Sequence, residues 1–141
     1  MTGSAILQPA LILAGLTVGV AAVMTMRRAG DMRRMGRALN ALPATRGGPA
    51  VDWSPRTQAA SDNFNNLLET PVLFYVAMIA LALSGGASGL VITFAWAYVA
   101  ARAIHTGVHL TYNLVSHRFA AFALSMALLT AILVLATVSV F

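Results

Sequence analysis

A chain of 141 residues, 59% hydrophobic and 9% charged, has room for one compact unit, and it belongs in a bilayer because a soluble domain carries roughly 25% charged residues. The formal charge of +5 comes from nine basic residues, all arginine, against four acids; they cluster between apolar segments rather than along a solvated face, which argues against a nucleic-acid partner. The absence of cysteine excludes a disulfide framework, a thiolate metal site and a cysteine nucleophile.

Four runs reach the roughly 20 residues needed to cross the hydrocarbon as helix, which predicts an all-α integral membrane bundle forming a single domain over residues 1–141. The first span, about residues 5–26, is uncharged and contains the pair Gly15 and Gly19, whose spacing lets a second helix approach closely. Its arginines follow the apolar run instead of preceding it, so it reads as a retained span and not as a cleaved signal peptide. The connection, about residues 27–55, carries Arg27, Arg28, Arg33, Arg34, Arg37 and Arg46. Within it Met32 to Leu42 is read as a short interfacial helix, and Gly47, Gly48 and Pro49 as a turn back into the membrane.

The second span is placed at about residues 56–83, the third at about 88–113 and the fourth at about 117–141. No segment alternates at period two, which excludes a barrel. By the arginine bias of cytoplasmic loops, the long connection and the turn at His117 and Arg118 face the cytoplasm, and both termini lie outside. Headgroup attraction is the plain reading of the arginine-rich loop, and docking of an acidic partner the alternative.

Polarity enters two spans. At 100° per residue Asn63, Asn66 and Thr70 fall within about 60° of one another, with Glu69 about 60° beyond Asn66. On the third span Tyr98, Arg102, His105, Thr106, His109, Tyr112, Asn113 and Ser116 fall inside an arc of about 120°. A charge at the bilayer centre costs about 2.5–3.5 kcal/mol, so a Glu69–Arg102 pair between the two helices is expected. Pro71 is expected to bend its helix or sit at a start, freeing a carbonyl for a polar neighbour. The polar face is either glue between helices or a site whose excess of donors suits an anionic ligand. His105 and His109 stand one turn apart, but with no third His or Cys nearby the pair reads as hydrogen bonding and no metal is assigned.

The stretch "NFNNLLETPVLFY" (63–75), followed by "ARAIHTGVHLTYNLVSHRFAAF" (101–122), resembles the MAPEG superfamily, membrane-associated proteins in eicosanoid and glutathione metabolism. The likeness runs over about residues 56–129 and is greatest to bacterial members of unassigned role. It rests on the N-x-x-E at Asn66 and Glu69 and the R-x-x-H at Arg102 and His105, with Arg118 matching an arginine at the start of the fourth helix. The resemblance implies a left-handed four-helix bundle, a homotrimer, and glutathione bound between subunits near the cytoplasmic face of a bacterial inner membrane. The implied glutathione contacts are Arg56, Asn63, Asn66, Glu69, Arg102, His105, His109 and Tyr112. Arg118 is the implied catalytic residue, favouring the thiolate that attacks a lipophilic electrophile or reduces a hydroperoxide. The chain departs from the family pattern upstream of the asparagines, where Ala59 and Ala60 stand in the place of a further arginine. Two functions remain on this reading: a glutathione-dependent transferase or peroxidase, and a noncatalytic subunit or lipid-binding scaffold whose polar cluster holds the trimer.

Overall fold

The computed structural model describes residues 5–36 and 51–141. Five helices follow in order, α1 Gln8–Arg34, α2 Pro55–Glu69, α3 Pro71–Ser84, α4 Gly89–Leu110 and α5 Val115–Val140, with no strand among the described residues. Helices α2 and α3 are the halves of one span, Pro55–Ser84, so four helical stretches are long and apolar enough to cross a membrane.

Apolar side chains face inward in steps of three, four or seven, the repeat that keeps one seam of a helix against its neighbours. On α1 and its lead-in the buried stripe is Ile6, Leu13 and Val20; on α4 it is Val91, Ala95 and Tyr98; on α5 it is Leu129, Ile132 and Ala136. Phe74 of α3 packs on Tyr98 with ring centroids 4.5 Å apart. The outward faces carry Leu11, Val18, Val76, Ile79, Ile104, Val134 and Val138, all exposed, which suits lipid and not water. Gly15 and Gly19 also lie on the outside, with no atom close to where a side chain would be. Their small surface is therefore not used within the chain.

Helix α1 runs past the expected end of the first span to Arg34. At about 1.5 Å per residue it is about 40 Å long, so its last turns stand clear of a hydrocarbon layer of about 30 Å. Arg33 and Arg34 occupy its final turn, where cations are favoured by the helix dipole. The expected interfacial helix from Met32 is therefore not separate: Met32 to Arg34 close α1, and Met35 and Gly36 form a turn with Gly36 at φ 62°; residues 37–42, with Arg37, Arg46 and the turn at Gly47, Gly48 and Pro49, lie outside the described residues.

The span α2–α3 is divided at Pro71, which lacks an N–H and takes the first position of α3. At the far end of the bundle Gly85 closes α3 in the left-handed conformation, φ 74°. A Cβ on Gly86 would stand 2.5 Å from Ser139 Oγ and 2.9 Å from Leu81 Cδ2, so this glycine lets the α3–α4 turn close onto the end of α5. Both ends of the described chain lie at this uncharged end; the arginines gather at the other.

Candidate functional site

Helix α4 ends at Leu110, three residues before the expected end of the third span. Thr111 breaks the helical pattern, and Asn113 follows at φ 49°, donating its N–H to Val108 O at 2.8 Å. Asparagine tolerates this left-handed conformation better than most residues. The break divides the polar arc seen in the sequence: residues up to His109 stay on the inward face of α4, whereas Tyr112 turns outward, exposed, with its hydroxyl 3.1 Å from His117 Nδ1.

The inward residues form a sealed seam between α2 and α4. Asn63 and Arg102 are fully buried and His109 is 2% exposed. Thr106 Oγ1 donates to Asn63 Oδ1 at 3.4 Å, and Arg102 Nη2 donates to the carbonyl of Asn66 at 2.7 Å. The carbonyl that Pro71 leaves without its helix donor is that of Leu67, four residues earlier, so the carbonyl that Arg102 reaches is its neighbour and not the one the proline frees. The expected Glu69–Arg102 pair is not formed: the described residues contain one ion pair, Arg34–Asp31. Glu69 is exposed, because it stands about 120° around the helix from the buried Asn63, off the face that meets α4.

Arg118, half-buried in the first turn of α5, is held from three directions. Its Nη1 donates to His109 Nε2 at 3.0 Å and to Asn113 Oδ1 at 2.8 Å, while its carbonyl lies 3.0 Å from His105 Nδ1. Because a carbonyl only accepts and a guanidinium only donates, His105 carries its proton on Nδ1 and His109 presents a lone pair at Nε2. The two imidazole rings meet edge to face at 5.5 Å, each committed to Arg118. Among the described residues no group of three His, Cys, Asp or Glu comes together to hold a metal.

A cleft of about 230 Å³ opens beside this cluster. Asn66, His105 and Arg118 form its polar wall, and Val115, Phe119 and Phe122 its apolar wall. No carboxylate lines it. Arg56 lies elsewhere, on a larger cavity shared with Arg27 and Arg34. Of the residues implied by the resemblance, the structure therefore brings Asn66, His105 and Arg118 to one cleft and places Asn63, Arg102 and His109 in the seam behind it. Arg56, Glu69 and Tyr112 stand apart on the exterior.

Sequence reasoning gave two residues no part in holding the site, although it placed Asn113 on the polar arc. Asn113 anchors Arg118, and its signal was an asparagine just beyond a helix end. Arg27 donates to the carbonyls of Arg56 at 2.8 Å and Leu110 at 3.0 Å, tying three helices together. It continues the seven-residue spacing of Ile6, Leu13 and Val20, which could have placed it on the inward stripe.

The MAPEG family model matches residues 6–138, extending the resemblance over the first span and almost to the end of the last. No curated protein and no solved structure matches the chain. With four helices fit to cross a membrane and a family match over nearly its whole length, the chain belongs to the MAPEG family of membrane proteins.

Proposed function

We propose that the protein is a homotrimeric membrane enzyme using glutathione in the Arg118 cleft to conjugate or reduce lipophilic electrophiles. The observation that carries this reading is the make-up of the cleft: a polar wall of Asn66, His105 and Arg118 faces an apolar wall of Val115, Phe119 and Phe122. An anionic, hydrophilic thiol and an apolar partner need such opposite surfaces side by side. Fit to glutathione is supported by the cleft's charge, since it has an arginine and no carboxylate, while His105 Nε2, the unprotonated nitrogen of its ring, is buried without a partner among the described residues and can accept from a ligand N–H or S–H. Glutathione supplies the thiol whose anionic form is the nucleophile or reductant. The chain's own part is to hold one guanidinium in place. His109 and Asn113 anchor Arg118 through Nη1, so its positive charge is positioned before any ligand arrives and favours an anion beside it. Phe119 and Phe122 keep water from the apolar side.

Assembly is supported by Glu69. It is exposed at the middle of a thirty-residue span, where a charge facing lipid costs about 2.5–3.5 kcal/mol, so a partner from outside the chain is required. The arginine-rich end is assigned to the cytoplasm of a bacterial inner membrane by the charge bias of its connection, with both termini outside. A second reading, a noncatalytic scaffold, is favoured by the seam, where Arg102 and Thr106 bond α4 to α2 without reaching the cleft. The two separate in one experiment. Purified protein in lipid nanodiscs is titrated with glutathione and assayed for conjugation to chlorodinitrobenzene, beside Arg118→Ala. Binding lost in the variant supports the enzyme; no binding to the unmodified protein at millimolar glutathione ends it.

A further inference from the structure

A second cavity, about 790 Å³, lies at the arginine-rich end between α1, the start of α2 and the end of α4. It shares no lining residue with the Arg118 cleft. Arg27, Arg34 and Arg56 line it together with Ser54 and Thr57. The stripe Ile6, Leu13, Val20, Arg27, Arg34 steps by seven, so the face of α1 that packs the core becomes basic just where the helix leaves the hydrocarbon. Arg27 is thereby half-buried on the inner side of the hollow, with Arg34 and Arg56 exposed at its edge.

The charge there is unbalanced. No acid lines the cavity among the described residues, and Asp31 close by is already engaged by Arg34 and by the Ser54 N–H at 2.8 Å. Arg27 is fixed by two backbone carbonyls, which hold its charge in place without neutralising it. Arg56 is exposed and its side chain bonds to no described residue. Beside the cavity Arg28 donates to Ser61 Oγ at 3.0 Å and stands 5.5 Å from the Trp53 ring, an aromatic of the kind that favours the headgroup level.

We propose that this cavity binds a phosphate group, with Arg27 and Arg56 as the principal contacts. Clustered guanidiniums suit a tetrahedral oxyanion because each presents several donors in a fixed fork. The site's depth, at the end of the apolar stripe, is that of lipid headgroups, and the cavity leaves room for the alcohol esterified to the phosphate. The same chemistry could be supplied by a soluble phosphate, and the test separates the sources.

The full chain is placed in phosphatidylcholine nanodiscs with and without phosphatidylglycerol, and retained phosphatidylglycerol is counted by native mass spectrometry. One arginine at an anionic surface is worth about 1 kcal/mol, so Arg56→Gln is expected to lower retention about fivefold, with a similar or larger loss for Arg27→Gln. Arg118→Gln is expected to retain the lipid. Should Arg27→Gln fail to fold for want of its carbonyl ties, Arg56→Gln decides, since its side chain bonds to no described residue. In a second arm, inorganic phosphate is titrated against the thermal midpoint in pure phosphatidylcholine. A rise abolished by Arg56→Gln, without preference for phosphatidylglycerol, assigns the site to a soluble phosphate. Equal lipid retention in all variants and no phosphate response overturns the proposal. So does loss of glutathione binding in Arg56→Gln, which would join the cavity to the Arg118 cleft.

Discussion

Two arginines less than two helices apart, Arg102 and Arg118, meet the bilayer in opposite ways. Arg102 is sealed: fully buried, it gives one hydrogen bond to the Asn66 carbonyl, while its Nε and Nη1 have no partner among the described residues. Arg118 is held by one amino group and lines an open cleft. The first holds helices together and the second is presented to whatever enters. The lesson is that the charge of an intramembrane arginine says that it has work, whereas its exposure says which work.

The largest effect is expected at the sealed residue. Arg102→Ala leaves a cavity in the seam and should lower stability by about 3–5 kcal/mol, read as a fallen thermal midpoint in detergent. Arg102→Met keeps most of the volume and removes an uncompensated charge, so it should be near neutral or stabilising; a collapse as deep as that of the alanine variant would show that the charge itself is needed. At the open residue the order reverses. Arg118→Ala should leave the midpoint close to unchanged and lower the turnover of glutathione about a hundredfold, the usual cost of one preorganised donor. Equal losses of stability at both arginines would erase the distinction.

Asn113 tests how the open residue is positioned. Asn113→Ala must hold a left-handed backbone without the local bonding of asparagine, at a cost of about 1 kcal/mol, and it also frees Arg118. Asn113→Gly relieves the backbone and still frees Arg118, so a loss of glutathione affinity common to both variants, with stability restored only in glycine, would assign the side chain to positioning. The smallest effect is expected outside both regions. Tyr112→Phe removes an exposed hydroxyl and should change stability by less than about 0.5 kcal/mol, with turnover unaltered; a marked loss of turnover would bring Tyr112 back to the site.

Much of this contrast could be read in part from sequence. The spacing of Tyr98, Arg102, His105 and His109 put them on one inward face, where the structure has them buried. Pro71 was recognised as a source of altered helix bonding, and it begins α3. Glu69 was paired with Arg102 on matching depth and a broad shared face; the structure turns it outward because it stands about 120° from Asn63, the residue that is buried against α4. Tyr112 was grouped with the histidines by extending the helical wheel past Leu110, beyond which the backbone is no longer helical. Arg56 was joined to the asparagines by the family resemblance and lies instead with Arg27 on a separate cavity.

The sequence by itself determined the solvent, the number of spans and the family, since apolar length, periodicity and short motifs are properties of contiguous residues. Only the tertiary structure decided which arginine is sealed, which is open and which line a second cavity. Those outcomes depend on how each helix is rotated against its neighbours and where it stops, and a single left-handed asparagine or one proline changes both.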